Sequence, residues 1–250
     1  MSQITTDTLI GIFLIFCRVG GCMLIAPALS SNRIPPQIRL FLALTVSLSL
    51  APVLLDRIGG GIAGQPPAVL LSWIASELLI GLLIGLLGRV YFFALQTMLG
   101  AVSMALSYGG MPGTPMDDAE PMPAVSSLIM MVATAAVFLS DLHWELIRGL
   151  IGSYSRMPAG QGLGMRSSLA ELVDQIGAAF IVALRISSPF LLYSVIANLV
   201  AGITNKLTPQ IPVFFIATPF IMLGGLFIMY FAAQDYVLLF MEAFASWLKG

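Results

Sequence analysis

From Leu207 to Gln234 the chain carries no charged side chain. A stretch that long exceeds the roughly 20 apolar residues that an α-helix needs to cross a bilayer. Five further apolar runs accompany it, at about 8–29, 38–55, 68–88 (extending toward 106), 124–140 and 176–201. Only 9% of the residues are charged and 58% are hydrophobic, with a mean hydropathy of +0.98. A soluble domain carries about 25% charged residues and must present a polar exterior. The reading is an all-α, polytopic membrane protein of about six long, partly kinked helices, forming one membrane domain over 1–250. The net charge of −1 offers no basic surface for nucleic acid.

The N-terminus MSQITTDT lacks a basic segment of the signal-peptide kind, so the first apolar run is expected to remain in the mature protein. Cys17 and Cys22 lie in that run. They diverge by about 140° around a helix and read as small apolar fillers, with neither a disulfide nor a metal role.

Orientation should follow an excess of Lys and Arg in cytoplasmic loops. With six spans, Arg33, Arg39, Arg89 and Lys206 fall on one side, and Arg57, Arg148, Arg156, Arg166 and Lys249 on the other. That near-equality decides nothing. It hints that the helices are not all conventional spans laid down one by one.

The links between runs carry their own signals. SSNRIPPQ (30–37) is a basic turn with a double proline that ends a helix, and DRIGGGIAGQPP (56–67) is irregular. The polar stretch 141–175 opens with DLHWELIRGLIGSY, whose apolar positions at helical spacing suit an interfacial helix. His143 with Asp141 and Glu145 falls short of a metal site and reads as a polar cap beside Trp144. No phosphate loop, nucleophile constellation or metal-ligand spacing is present, so neither an enzyme nor a cofactor is expected.

Three charged residues lie inside apolar runs: Arg18, Glu77 and Arg185. Ionised groups in hydrocarbon are costly and usually pair. Arg18 or Arg185 can partner Glu77, as an internal salt bridge or as part of a proton-coupled pathway. The kink-forming Pro27, Pro52, Pro189 and Pro219 fit either a transporter or helices bending around neighbours. In ELLIGLLIGLLG (77–88), Gly81, Gly85 and Gly88 share nearly one face, a spacing that lets two backbones approach closely.

Between the third and fourth runs stands SYGGMPGTPMDDAEPMP (107–123). Gly109–Gly110 breaks the preceding helix, and Pro112, Pro115, Pro121 and Pro123 forbid regular structure. Met104, Met111, Met116 and Met122 suit a soft, adaptable seal. An ordinary surface loop is the alternative.

Two segments carry a family likeness. RVGGCMLIAPALSSNRIPPQIRLFLALTVSLSLAP (18–52) and NLVAGITNKLTPQIPVFFIATPF (198–220) resemble the FliR family, membrane proteins of the flagellar export gate, whose injectisome counterpart is similar. The shared elements are an Arg-led run ending in Ala-Pro, a proline turn followed by a basic residue, and the Asn205–Lys206…Pro209–Gln210 turn. HWELIRGLIGSYSRMPAG (143–160) fits a weaker family segment. Lys206 stands where Arg is more usual, Leu142 where a small residue is common, and Pro219 favours the flagellar branch.

The resemblance implies a structural subunit of the type III protein export gate in the bacterial inner membrane, within the flagellar basal body. It would close a helical ring of FliP-like and FliQ-like subunits, work with FlhB-like and FlhA-like components, and pass unfolded export substrates. It implies a pore plug at 107–123, with Tyr108, Gly109, Gly110, Met111, Pro112 and Met116, and an assembly role for the Asn205–Gln210 turn. The competing reading is a small proton-coupled secondary transporter that uses Arg18, Glu77 and Arg185.

Overall fold

The structure is a computed structural model that describes residues 2–27, 29–30, 34–58, 65–110, 123–160 and 165–249. Seven helices account for nearly all of the described residues: α1 (Ser2–Ile25), α2 (Pro36–Ile58), α3 (Pro67–Ala105), α4 (Ala124–Leu139), α5 (Leu142–Arg156), α6 (Met165–Leu207) and α7 (Val213–Lys249). There is no β-strand among them. Five helices are long and apolar enough to cross a membrane, and α4 with α5 qualify only as a pair. The chain is thus an all-α, polytopic membrane protein.

The helix starts follow from proline chemistry. In each double-proline link, the second proline opens the following helix: Pro36 opens α2 and Pro67 opens α3. A proline in the first turn lacks only an amide that would go unpaired anyway. The preceding Pro35 and Pro66 supply carbonyls to Ile38 (3.0 Å) and Val69 (2.9 Å).

Three helices outrun their apolar runs. α3, α6 and α7 contain 39, 43 and 37 residues. At 1.5 Å per residue, each is ~55–65 Å long, about twice the ~30 Å of hydrocarbon in a bilayer. The ~20° tilt typical of membrane helices does not absorb the excess. α6 begins within the polar stretch, at Met165, and α7 passes Asp235 and Glu242 to reach Lys249.

The chain divides into two compact units. The first comprises Met1–Val90, Asp141–Gln175 and Leu248–Gly250; the second comprises Tyr91–Ser140 and Ile176–Trp247. The first unit's core joins Leu14, Ile15, Val19 and Cys22 of α1, Leu54 of α2, and Leu146, Leu150 and Tyr154 of α5. In the second, Val102, Leu106, Tyr108, Phe190 and Ile221 pack together. An aromatic group of Tyr91, Phe92, Phe240 and Phe244 adds edge-to-face contacts, with Phe92 and Phe240 centroids 5.2 Å apart.

Candidate functional site

Arg18 is completely buried in the first unit, yet its guanidinium is well supplied with partners. Its Nε donates to Glu77 Oε2 at 2.6 Å and its Nη2 to Glu77 Oε1 at 2.9 Å. This is the two-point fork that matches a guanidinium to a carboxylate. Nη1 donates to Ser153 Oγ and Nη2 also to the Met157 carbonyl, each at 2.9 Å. The Tyr154 ring lies 3.7 Å from the guanidinium carbon, in cation–π contact. Arg18 therefore ties α1 to α3 and to the C-terminal end of α5.

Glycines bring these backbones together. A Cβ on Gly81 would collide with the Arg18 carbonyl, and one on Gly85 would sit 2.5 Å from the Cys22 carbonyl. From the other side, a Cβ on Gly21 would meet the Leu78 carbonyl at 2.7 Å. The approach of α1 to α3 is thus closer than any side chain at these positions allows, and it carries Arg18 to Glu77. Gly88 is buried on the same helix.

The partners on α5 were invisible to charge counting, though a signal for them existed. Leu142, Leu146, Leu150, Ser153 and Tyr154 form the buried stripe of that helix at helical spacing. The stripe includes Ser153 and Tyr154, the two side chains that reach Arg18. His143 is half-buried beside Trp144, with ring centroids 5.7 Å apart. Among the described residues, no cluster of His, Cys, Asp and Glu could hold a metal ion.

In the second unit, the start of the Gly-Pro-Met loop is anchored. α3 ends at Ala105, Ser107 adopts a left-handed conformation (φ 66°), and the Tyr108 amide donates to the Ser103 carbonyl at 2.8 Å. This closure turns Tyr108 inward, where it is buried and its phenol donates to the Met222 carbonyl of α7. Gly109 and Gly110 follow on the surface. Met111, Pro112 and Met116 lie outside the described residues.

A second tyrosine makes a similar contact with α7. Tyr193 Oη of α6 donates to the Phe220 carbonyl at 3.1 Å, and a Cβ on Gly224 would collide with that phenol. Asn198 of α6 donates to the Ser194 carbonyl at 2.8 Å and to the Ala105 carbonyl at 3.4 Å. Ser103 and Ser126 share a buried hydroxyl contact of 2.6 Å, and Ser126 also donates to the Leu99 carbonyl at 2.9 Å. These contacts fix α3, α4, α6 and α7 around the loop's origin.

Asn205 and Lys206 occupy the last turn of α6, and Pro209 and Gln210 lie in the link to α7. The Thr208 amide donates to the Thr204 carbonyl at 2.9 Å and the Ile211 amide to the Thr208 carbonyl at 3.1 Å, making a compact helical hairpin turn. Lys206, Pro209 and Gln210 are exposed. Arg185 is exposed on α6 and does not join Arg18 and Glu77.

Comparison with known sequences gives a consistent result. The family profile described as "Bacterial export proteins, family 1" matches residues 9–247. A Caulobacter vibrioides protein named "Flagellar biosynthetic protein FliR" is 28% identical over 85% of this chain and 84% of its own length. An Aquifex aeolicus protein of the same name is 27% identical over 92% of this chain and 88% of its own. The Escherichia coli protein of that name is 26% identical, covering 85% and 80%.

Proposed function

The chain belongs to the bacterial export proteins, family 1, as a member of the FliR family and a subunit of the flagellar export apparatus, and on that premise we propose that it is a structural gate subunit. It closes a ring with FliP-like and FliQ-like partners in the inner membrane, adjoins FlhB-like and FlhA-like components, and seals the pore for unfolded substrates with residues 107–123. It performs no chemistry of its own.

The observation that carries this reading is the match along almost the whole chain to proteins named for flagellar biosynthesis. The exposed apolar faces support it. Phe215 is 84% exposed, Tyr230 79% and Leu207 76% in the single chain. Helices about twice the thickness of the hydrocarbon cannot hide all such residues in lipid, so partner subunits are the natural cover. The anchored Tyr108 supports a plug as well. A loop that must open and reseal needs a fixed root, and Tyr108 is buried at its base while Gly109 and Gly110 supply backbone freedom. Tyr108 would then root the plug.

The test is deletion of Tyr108–Met116 in cells assembling the full apparatus. An ion-leaky membrane is expected, with the complex still assembled. Unchanged conductance in a fully assembled complex would remove the plug assignment.

A further inference from the structure

Four helices of the second unit leave a gap between them. Its floor is buried: Leu95 and Leu99 of α3, Ile186 and Phe190 of α6, and Phe240 of α7. Its exposed rim comes from α4 and α7, where Leu128 is 50% exposed, Val132 41%, and Ala233 exposed as well. The cavity holds about 110 Å³, and no polar atom of the described residues faces into it. Two alanines, Ala133 of α4 and Ala233 of α7, stand on its walls where longer side chains would close it.

The gap is held open. On α4, the Ser126 hydroxyl donates to the Leu99 carbonyl at 2.9 Å and contacts Ser103 Oγ at 2.6 Å, which pins the helix to α3. Phe240 meets Phe92 edge to face, with centroids 5.2 Å apart, and Phe190 rests against Tyr236 at 5.4 Å. These walls cannot close inward without giving up those contacts. Left empty, they forfeit the dispersion contacts that a filled core supplies. Water does not compensate, because a cavity without polar partners stays dry.

We propose that the end of a membrane-lipid acyl chain enters between α4 and α7 and fills this cavity. Size and chemistry select it. An apolar cavity of ~150 Å³ admits benzene, and this one is of similar size. A helix, ~10 Å across, is too thick to enter, whereas a hydrocarbon chain is one methylene wide. The rim also belongs to a surface suited to lipid. α4 carries no charged residue along its 16 positions, and Met131 is 55% exposed beside Leu128 and Val132. The proposal needs only the membrane setting of these helices, so it stands apart from the plug and ring assignments.

The test uses cells that make the whole apparatus, fed a fatty acid that carries a diazirine near its methyl end and is built into their lipids. After irradiation, the tagged chain is purified and its labelled residues are mapped by mass spectrometry. Label is expected on the floor, at Leu99, Phe190 and Phe240. A diazirine near the carboxyl end should miss the floor. Ala133→Leu should lower floor labelling by about tenfold, roughly the loss of two seated methylenes, and leave label on the outer helix faces unchanged. Ala233→Leu fills the gap from the opposite wall and should do the same, even if the first variant accumulates poorly. A floor without label would overturn the proposal. A photoreactive residue at Leu128 would then tell an empty cavity from one filled by a neighbouring subunit's side chain. Floor labelling undiminished in both alanine variants would overturn it as well, since the label would have reached those residues by another route. The composition of the purified complex decides the gate reading separately.

Discussion

At the scale of the residue, the controlling feature is the buried ion pair of Arg18 and Glu77. Desolvating two charges is costly, and the attraction between them offsets this only with good geometry and full hydrogen bonding. Both conditions hold, through Glu77, Ser153 and Met157. Glu77→Ala should therefore destabilise the fold by about 3–5 kcal/mol, because a buried guanidinium is left uncompensated. Arg18→Met with Glu77→Met should fall near the wild type. Thermal unfolding in mild detergent distinguishes the two, and a double variant as damaged as the single would mean that the charges serve more than packing. Gly81→Ala should also destabilise, since its methyl group meets the Arg18 carbonyl and neither backbone can retreat. The sequence identified three intramembrane charges but left two candidate partners for Glu77. Periodicity within one helix does not reveal which helices touch. The close approach at Gly21, Gly81 and Gly85 decides it, and the pair left over, Arg185, becomes the outward-facing charge.

At the scale of the element, helices were legible wherever apolar composition dictated them, and their ends were legible at the double prolines. Their full lengths were not. A span sought by hydrocarbon thickness stops where charge begins, whereas a helix stops only where its backbone is broken. Hence α6 starts before Glu171 and Asp174, and α7 continues beyond Asp235 and Glu242. The turn between them, Thr208–Pro212, joins α6 to α7. Asn205→Ala or Pro209→Ala should impair assembly and motility, the latter by loosening a turn whose proline limits the unfolded alternatives. Normal complex yield and motility in both variants would argue against a structural role for that turn. At the loop's root, Tyr108→Phe removes one hydrogen bond to the Met222 carbonyl and should cost about 0.5–1.5 kcal/mol of stability. An accompanying rise in ion leakage would tie that anchor to sealing, whereas leakage at the wild-type level would separate the two.

At the scale of the whole molecule, composition established a membrane protein, and the family likeness established which apparatus it serves. The transporter alternative drew on Arg18, Glu77 and Arg185 together, and the first two are committed to each other. What a single sequence could not convey is the role of exposed apolar side chains such as Phe215, Phe220 and Phe231. Hydropathy reads the same whether a residue faces lipid or a neighbouring subunit. The direct test is to tag the C-terminus, co-express the chain with the FliP-like and FliQ-like subunits proposed to join it, extract in mild detergent, and measure the mass and composition of what purifies. A large complex holding both small hydrophobic partners in excess over the tagged chain is the predicted result. A lone chain or homodimer, obtained although the partners are present in the same membrane, would contradict it.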